Sequence, residues 1–262
     1  MLIDTHLHLD AAEFDADRAA VLARARARGV EGFVVPAVER AGFGKVLALA
    51  EAEPDVFPAL GIHPLHTGRA TDDDLAALDD LLGRGRCAAV GEIGLDHYAP
   101  GFDAARQQAF FVAQLELARR HDLPVILHVR RAQDAVLAAL RRAGVSGGIA
   151  HAFNGSFQQA GAFLALGFRL GFGGAMTFTG SRRIRRLAAE LPLTAIVLET
   201  DAPDMPPAWG RGGRNAPENI RRYAETLAAL RGLPLAEVIR ATGENACGVF
   251  QRTKDGGWRT GK

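Results

Sequence analysis

Short apolar segments alternate with longer amphipathic segments from one end of the chain to the other. Several of the short segments are rich in Val and Ile and have the length of a buried strand, whereas the longer ones repeat Ala and Leu at helical spacing. Strands are predicted at residues 2–8, 31–38, 56–63, 88–95, 124–129, 147–153, 168–174 and 195–201. A helical segment follows each strand, and Thr71, Ser156 and Ser181 are typical N-caps before three of these helices.

Strict alternation of strand and helix predicts a parallel sheet, because helical crossovers connect parallel neighbours. Eight such units favour closure into a single TIM-type (β/α)8 barrel, for which about 250 residues is a usual length. A doubly wound open sheet is the alternative, but THLHLD follows the first strand where that fold needs a glycine-rich turn. We expect one barrel domain over residues 1–250, including an extra helix or helix pair at 235–250, and a flexible tail at 251–262.

The composition is that of an ordinary globular protein, with 48% hydrophobic and 23% charged residues. Because 31 Lys and Arg balance 30 Asp and Glu, no overall field attracts nucleic acid or an anionic membrane, so any contact with nucleic acid must be local. The chain shows no apolar stretch of transmembrane length and no secretory signal pattern. Only Cys87 and Cys247 are present, so no disulfide framework is indicated. We expect a cytoplasmic monomer without an obligate protein partner.

Histidines and one acid recur where the predicted strands end. His6 and His8 are two residues apart near the end of the first strand, so both side chains point to the same side. Taken alone, this pair could equally be structural. His128, His151 and Asp201 fall near the ends of the fifth, sixth and eighth strands. Active sites of such barrels are built at this face, so the five side chains predict a metal centre.

Glu92, in VGEIGLD, falls at the corresponding point of the fourth strand. It could instead be a buried glutamate paired with an arginine, but a charge in an apolar strand needs strong compensation, which metal cations would provide. Some hydrolytic barrels bridge two metals with a carboxylated lysine. The only lysines here are Lys45, Lys254 and Lys262, and none lies on a predicted strand. If two metals are bridged, Glu92 is therefore the best-placed bridge.

Seven motifs follow one another in an order typical of one protein family. They are DTHLHLD, LGIHP, VGEIGLD, VILHVRRA, AHAFNGS, LETDAP and RNAPENI, spread over residues 1–250. With these motifs the chain resembles the TatD family of metal-dependent deoxyribonucleases, within the amidohydrolase-like barrels. The segment ETDAPDMP is most similar to the YjjV-like branch of that family.

The resemblance implies a centre of two divalent ions. The six ligands it implies are His6, His8 and Asp201 at one ion, His128 and His151 at the other, and Glu92 bridging both. Imidazole and carboxylate ligands suit Zn, Mn or Co, whereas Mg prefers more oxygen ligands, so all four stay candidates. Two such ions activate a shared water as hydroxide and stabilise the attacking and leaving oxygens of a phosphodiester. The expected substrate is DNA or an oligonucleotide, trimmed from its 3′ end.

Glu92 and Asp201 are the expected catalytic residues. Asp201 is placed where a carboxylate could accept the proton of the attacking water, so we assign it the roles of ligand and general base. Glu199, two residues earlier on the same face, is expected to orient a ligand rather than to bind metal itself.

Four residues are candidates for binding the substrate. By analogy with the family, His63 in LGIHP contacts the phosphate side. Arg130, two residues after His128, could pair with a phosphate oxygen, and Arg214 with Asn215 in GRGGRN could hold another. For each arginine, simple surface solvation is an equally good interpretation.

Two further features are interpreted as structural. The arginines at 182, 183, 185 and 186 point in several directions on a helix, which favours a solvated face over a nucleic-acid groove. Phe153 could stack a base, but core packing explains it as well.

Two other functions remain open on the sequence. The same metal ligands could hydrolyse a small phosphoester, an amide or a lactone, since barrel and metals determine the nucleophile and not the substrate. The near-neutral net charge is compatible with such a substrate. The chain could also be a binding protein that retains metal for stability.

Overall fold

A computed structural model of the chain describes residues 1–250, so the predicted tail at 251–262 lies outside the described residues. Eight strands form one sheet in which sequence neighbours pair in parallel, in the order β1 to β8. The strands are β1 (Leu2–Asp4), β2 (Val30–Pro36), β3 (Val56–Leu60), β4 (Ala89–Asp96), β5 (Val125–Arg130), β6 (Gly148–Ala150), β7 (Phe168–Phe172) and β8 (Ile196–Leu198).

Backbone hydrogen bonds join the last strand to the first and bring the sheet close to a complete barrel. The Thr5 amide donates to the Leu198 carbonyl at 3.1 Å, and the Asp201 amide donates to the His6 carbonyl at 2.9 Å. The eight-stranded parallel arrangement confirms the predicted TIM-type barrel. It also brings the carboxyl ends of all eight strands to one rim.

Helices follow the strands around the outside. Within residues 1–250 they are α1 (Arg18–Ala27), α2 (Arg40–Ala52), α3 (Asp72–Gly83), α4 (Ala104–Arg120), α5 (Gln133–Ala143), α6 (Phe157–Ala165), α7 (Arg182–Glu190), α8 (Ile220–Arg231) and α9 (Leu235–Val249). Thr71 and Ser156 each form a capping box, whereas Ser181 occupies the N-cap position without a side-chain bond. The segment predicted as an extra helix or helix pair is the single helix α9. No helix of the described chain has the length and apolarity needed to cross a bilayer.

The core has two layers. Most buried apolar side chains lie between the strands and the surrounding helices. A smaller cluster joins alternate strand residues such as Ile3, Ile126 and Val197 to Ala246 and Phe250 at the end of α9. Because strand residues alternate between the two faces of a sheet, this second cluster fills the barrel interior. The interior is therefore a packed floor beneath the rim, and the site lies above it.

Six strands end earlier than predicted, and three of them were expected to carry ligands at their ends. β1, β6 and β8 stop at residues 4, 150 and 198, so the histidines and the acid assigned to their ends lie in the segments just beyond them. Ala152 and Asp201 have φ of 44° and 57°, which a strand does not accommodate. The alternation of apolar and polar residues continues past the last ladder bond, which explains why the sequence pattern overextends these strands.

Candidate metal centre

A cleft of about 1170 Å³ opens at the carboxyl ends of the strands. Five of the six predicted ligands line it: His8, Glu92, His128, His151 and Asp201. The sixth, His6, is fully buried beside them. The structure therefore brings together all six residues, although they come from five different strands or strand ends.

One group of donor atoms surrounds a single point. His6 Nε2 lies 3.3 Å from Glu92 Oε2, 3.4 Å from His8 Nε2 and 3.5 Å from Asp201 Oδ1. His8 Nε2 lies 3.5 Å from the same Glu92 oxygen and 3.6 Å from the same Asp201 oxygen. Four ligands at about 2.0–2.1 Å from a tetrahedral cation would be about 3.3–3.4 Å apart. The spacing of these four atoms therefore fits a small divalent cation.

A second group uses the other oxygen of the same carboxylate. Glu92 Oε1 lies 2.9 Å from His128 Nδ1 and 2.9 Å from His151 Nε2, and these two nitrogens are 3.4 Å apart. The two oxygens of Glu92 thus face different groups of donors. A carboxylate in this position could bridge two cations.

The charges of the candidate ligands influence one another strongly, because these side chains are buried or half-buried and close together. Burial opposes ionisation of Glu92, but His151, His63 and His6 around it hold its pKa well below the usual range. Burial would lower the pKa of His151, yet Glu92 and Glu199 raise it well above normal. In the absence of a cation, His151 is therefore the proton-bearing partner of Glu92. A cation that binds there must displace this proton, since only neutral imidazole is a ligand.

Asp201 differs from Glu92 although both are carboxylates. Burial raises the pKa of Asp201 to about 6, and His151 and His8 oppose that rise. The position of Asp201 is fixed by the hydrogen bond from its amide to the His6 carbonyl. The preceding residue, Thr200, is held as well, because the Asp4 carboxylate accepts from its amide at 2.9 Å and from its hydroxyl at 2.6 Å. The loop after β8 is therefore tied to β1 beside the ligands.

Asp96 orients His128 by contacting the ring nitrogen that faces away from Glu92. Its Oδ2 lies 3.1 Å from His128 Nε2, and the other ring nitrogen faces Glu92. A proton on Nε2 that is donated to Asp96 leaves the lone pair on Nδ1 for a cation. Asp96 was not among the site residues predicted from the sequence, although it lies four residues after Glu92 in VGEIGLD. Residues four apart on a strand share a face, and that period is the signal that could have identified it.

Replacing Asp96 with Asn should weaken cation binding about 10-fold to 100-fold, because an amide no longer fixes the charge and tautomer of His128. Competition against a chromophoric chelator measures the affinity. Asp79 makes a comparable contact with His121 at 2.6 Å on the outer surface, so Asp79→Asn is the matched control and should leave the affinity unchanged. Equal affinities for the wild type and Asp96→Asn would remove this role.

Glu199 supports His151 in a corresponding way. Its Oε1 accepts a hydrogen bond from the Ala152 amide at 2.5 Å and lies 3.8 Å from His151 Nδ1. A Cβ at position 171 would fall 2.1 Å from Glu199 Oε2, so only glycine fits beside this carboxylate. Glu199 is thus enclosed in the barrel and does not approach the cleft, in line with its predicted supporting role.

Comparison with known proteins agrees with this geometry. A sequence model of the family described as TatD related DNase matches residues 3–251. The chain belongs to the TatD family. The uncharacterised metal-dependent hydrolase YjjV of Escherichia coli K12 is 42% identical over 251 residues, which is 95% of this chain and 97% of YjjV. Human deoxyribonuclease TATDN3 is 32% identical over 267 residues, which is 97% of this chain and 96% of TATDN3.

The fold of this TatD family member also matches a solved structure. The crystal structure of YjjV from Escherichia coli K12 superposes with a TM-score of 0.93 at 41% identity, covering 96% of this chain and 98% of that chain. The resemblance to the TatD family and to its YjjV-like branch is thereby confirmed.

His63 faces the centre of the TatD site as a hydrogen-bond donor. Its Nδ1 accepts from the Leu65 amide at 3.2 Å, so in the neutral ring the proton is on Nε2, which lies 3.5 Å from Glu92 Oε1. Burial lowers the pKa of His63 to about 4, against the opposing effect of Glu92, so the ring is neutral at physiological pH. Binding a cation through Nε2 would break the bond from Leu65. His63 is thus better suited to donate a hydrogen bond than to bind metal.

The four predicted substrate contacts separate into two pairs. His63 and Arg130 line the cleft, whereas Arg214 and Asn215 do not. The Arg214 guanidinium pairs with both Asp17 oxygens, at 2.7 and 2.9 Å. The charge of Arg214 is therefore neutralised outside the cleft, and the predicted role of Arg214 in binding the substrate is not supported.

Asn215 is fully buried, and its side chain is used within the fold. Its amide nitrogen donates to the carbonyls of Thr200 and Asp204, at 2.8 and 2.9 Å. Its oxygen accepts from the Ala216 amide at 2.9 Å and from the Tyr223 hydroxyl at 3.2 Å. The structure therefore corrects the predicted role: Asn215 organises the loop that carries Asp201 and is not accessible to a substrate.

Of the features interpreted as structural from the sequence, Phe153 is confirmed as a core residue, whereas the arginines of α7 differ from one another. Phe153 is buried and packs edge-on against Phe163, as core packing requires. Arg185 donates to the Met176 carbonyl and Arg186 pairs with Glu190, but Arg183 lines the cleft. One of the four helix arginines therefore reaches the site.

Proposed function

We propose that this TatD family protein is a metal-dependent hydrolase that cleaves phosphodiester bonds of DNA, removing nucleotides from the 3′ end. The observation that carries the proposal is the position of Glu92, whose two oxygens face two separate groups of nitrogen and oxygen donors. The family description, TatD related DNase, and the name of the human relative support DNA as the substrate.

The donor atoms fit two divalent cations. His6, His8, Asp201 and one Glu92 oxygen would hold the first, and His128, His151 and the other Glu92 oxygen would hold the second. The buried His6 ring turns its Nε2 toward the other donors of the first group, which suits a ligand. The mixture of imidazole and carboxylate suits Zn, Mn or Co better than Mg. When bound, such cations acidify water and neutralise negative charge on a phosphodiester.

Residues of the chain account for the remaining steps. Asp201, whose pKa burial raises to about 6, accepts the proton of the attacking water as general base. His63 donates its Nε2 hydrogen bond to a non-bridging phosphate oxygen, which gains charge in the transition state. Arg130 at the rim supplies a permanent positive charge to the substrate backbone. The same proposal places a monomeric enzyme in the cytoplasm.

Chelation followed by addition of single metals tests the proposal. The chelated protein should have no nuclease activity on a 3′-labelled or 5′-labelled oligonucleotide, and Zn, Mn, Co or Mg should restore it to different extents. Release of mononucleotides from the 3′ end is the expected product pattern. Nitrophenyl phosphodiesters, a lactone and a cyclic amide are assayed in parallel. Hydrolysis of the lactone or amide without DNA cleavage would favour the small-substrate alternative, and loss of thermal stability without any hydrolysis would favour a binding protein.

A further inference from the structure

The two walls of the cleft carry opposite charges. The wall built from the end of β5, the segments after β5 and β6 and the start of α7 contributes Arg130, Arg131 and Arg183. The wall built from the segments after β1 and β8 contributes Asp10, Glu13 and Asp204 and no lysine or arginine. A polyanion that reaches the metal centre therefore meets attraction on one side only.

The cleft arginines keep their charge for a ligand. Among residues 1–250, Arg183 donates only to the neutral amide oxygen of Asn154, at 2.6 and 3.1 Å. Within residues 1–250, no carboxylate lies at ion-pair distance from Arg131. Arg130 lies 3.9 Å from Asp96 Oδ2, but that oxygen already binds His128.

Several arginines elsewhere on the surface are neutralised. Arg26, Arg120 and Arg214 face carboxylates at 2.6, 2.5 and 2.7 Å. Such pairs leave little net charge to attract an anion. Arg131 and Arg183 differ from these three arginines, because no carboxylate within residues 1–250 pairs with either of them.

One cluster at the rim of the cleft, which we call the rim subsite, consists of Arg130, Arg131 and Tyr98. Consecutive residues of a strand point to opposite faces, but Arg131 has a φ of 53°, which turns its side chain back toward that of Arg130. Both guanidinium groups consequently stack on the Tyr98 ring, at 4.0 and 4.3 Å from its centroid. A left-handed conformation at a residue with a side chain costs energy and is typical of functional positions.

The rim subsite is mounted on the residue that orients a metal ligand. Asp96 Oδ1 accepts from the amides of Tyr98 and Ala99 at 2.8 and 3.0 Å, while its Oδ2 faces His128 Nε2 at 3.1 Å. Asp96 Oδ2 lies 3.9 Å from Arg130 Nη1 and 3.1 Å from His128 Nε2. Because both atoms are this close to the same oxygen, they can be at most about 7 Å apart. This is comparable with the separation of successive phosphates in an extended strand.

We propose that the rim subsite binds the internucleotide phosphate next to the one being cleaved. The inference rests on the proposed deoxyribonuclease function and adds a direction to it: the strand leaves the metal centre over the arginine wall and away from the acidic wall. A guanidinium group held on a ring at the rim presents paired donors to a phosphate, a geometry that arginine provides and lysine does not. The enzyme would therefore prefer oligonucleotides to compounds that contain a single phosphodiester.

A charge-deleted substrate tests the subsite. One oligothymidylate is entirely phosphodiester, a second carries an uncharged methylphosphonate at the linkage next to the 3′-terminal one, and a third carries it two linkages further away. For the metal-loaded wild type, the second substrate should lose about 10-fold to 100-fold in kcat/KM, and the third much less. The variant Arg131→Gln should show a similar loss on the unmodified strand and little further loss on the second substrate, because it already lacks the contact.

Controls separate a bound phosphate from general electrostatics. Arg142→Gln removes an exposed arginine at the end of α5, outside the cleft, and should retain the full methylphosphonate penalty. Arg131→Lys should recover only part of the loss. The slope of log(kcat/KM) against log(salt) should decrease by about 0.7 in Arg131→Gln.

The outcomes distinguish this inference from the function on which it rests. Two results would overturn the rim subsite and leave the nuclease intact. In the first, the wild type cleaves both modified strands as fast as the unmodified strand. In the second, Arg131→Gln shows the same methylphosphonate penalty as the wild type. A wild type that cleaves none of the oligonucleotides with any metal would overturn both. A penalty that disappears only in Arg131→Gln supports the subsite.

Discussion

Replacing Glu92 with Gln is expected to lower kcat/KM on DNA by about 10⁴-fold, the upper end of what one catalytic group contributes. The amide keeps the shape of the side chain but removes the negative charge shared by the two donor groups. It also presents N–H hydrogens to one of them, and these repel a cation. Because both groups lose a ligand, the number of bound metal ions should decrease together with the activity.

Metal content and activity are measured on the same purified samples. Glu190 pairs with Arg186 on the outer face of α7, so Glu190→Gln is the control for a change of one charge without contact to the site. Circular dichroism and thermal unfolding verify that Glu92→Gln folds, which is a necessary check because His151 loses its counter-charge. Retention of two metal ions and of most activity would exclude Glu92 as the bridge.

The sequence predicted the cluster of six candidate ligands because strand periodicity and barrel topology are local rules with a global consequence. His6, Glu92 and His151 are far apart in the chain, yet each was predicted at a strand end, and parallel strands place all such ends at one rim. The errors in the ends of β1, β6 and β8 had no effect on this result, since the backbone continues toward the rim beyond the last ladder bond.

The sequence could not predict contacts made in loops. Arg214 lies in a glycine-rich segment, as an anion-binding residue often does, but it pairs with Asp17, 197 residues away. Asn215 is adjacent to it and points into the fold. Neither fact follows from spacing or residue type, because loop conformation depends on the elements against which the loop packs.

The rim subsite shows a further limit of sequence periodicity. A strand pattern puts Arg130 and Arg131 on opposite faces, and only the observed backbone conformation at Arg131 brings both to Tyr98. Tyr98 itself lies in the segment after β4, where nothing in its sequence neighbourhood indicates two stacked arginines. The arrangement of the rim side chains was therefore less predictable than that of the candidate ligands, since it depends on the rim segments and not on the strands.

Replacing Asp201 with Asn should lower kcat on DNA about 10²-fold to 10⁴-fold, the range for loss of a general base. The expected effect differs from that of Glu92→Gln, because His6, His8 and a Glu92 oxygen still face the first cation position and the second donor group is untouched. Metal binding should thus weaken at one position and persist at the other, so saturating metal restores occupancy without restoring the rate.

The neighbouring acid provides the matched control. Asp204 lines the same cleft three residues later but is exposed, and no carboxylate contact joins it to the four donor atoms around His6. Asp204→Asn should therefore change kcat less than about threefold, within the range of surface substitutions. The decisive measurement is kcat for both variants at metal concentrations that saturate each one. Recovery of the wild-type rate in Asp201→Asn at high metal would assign Asp201 to binding alone, because a ligand can be compensated by concentration whereas a missing proton acceptor cannot.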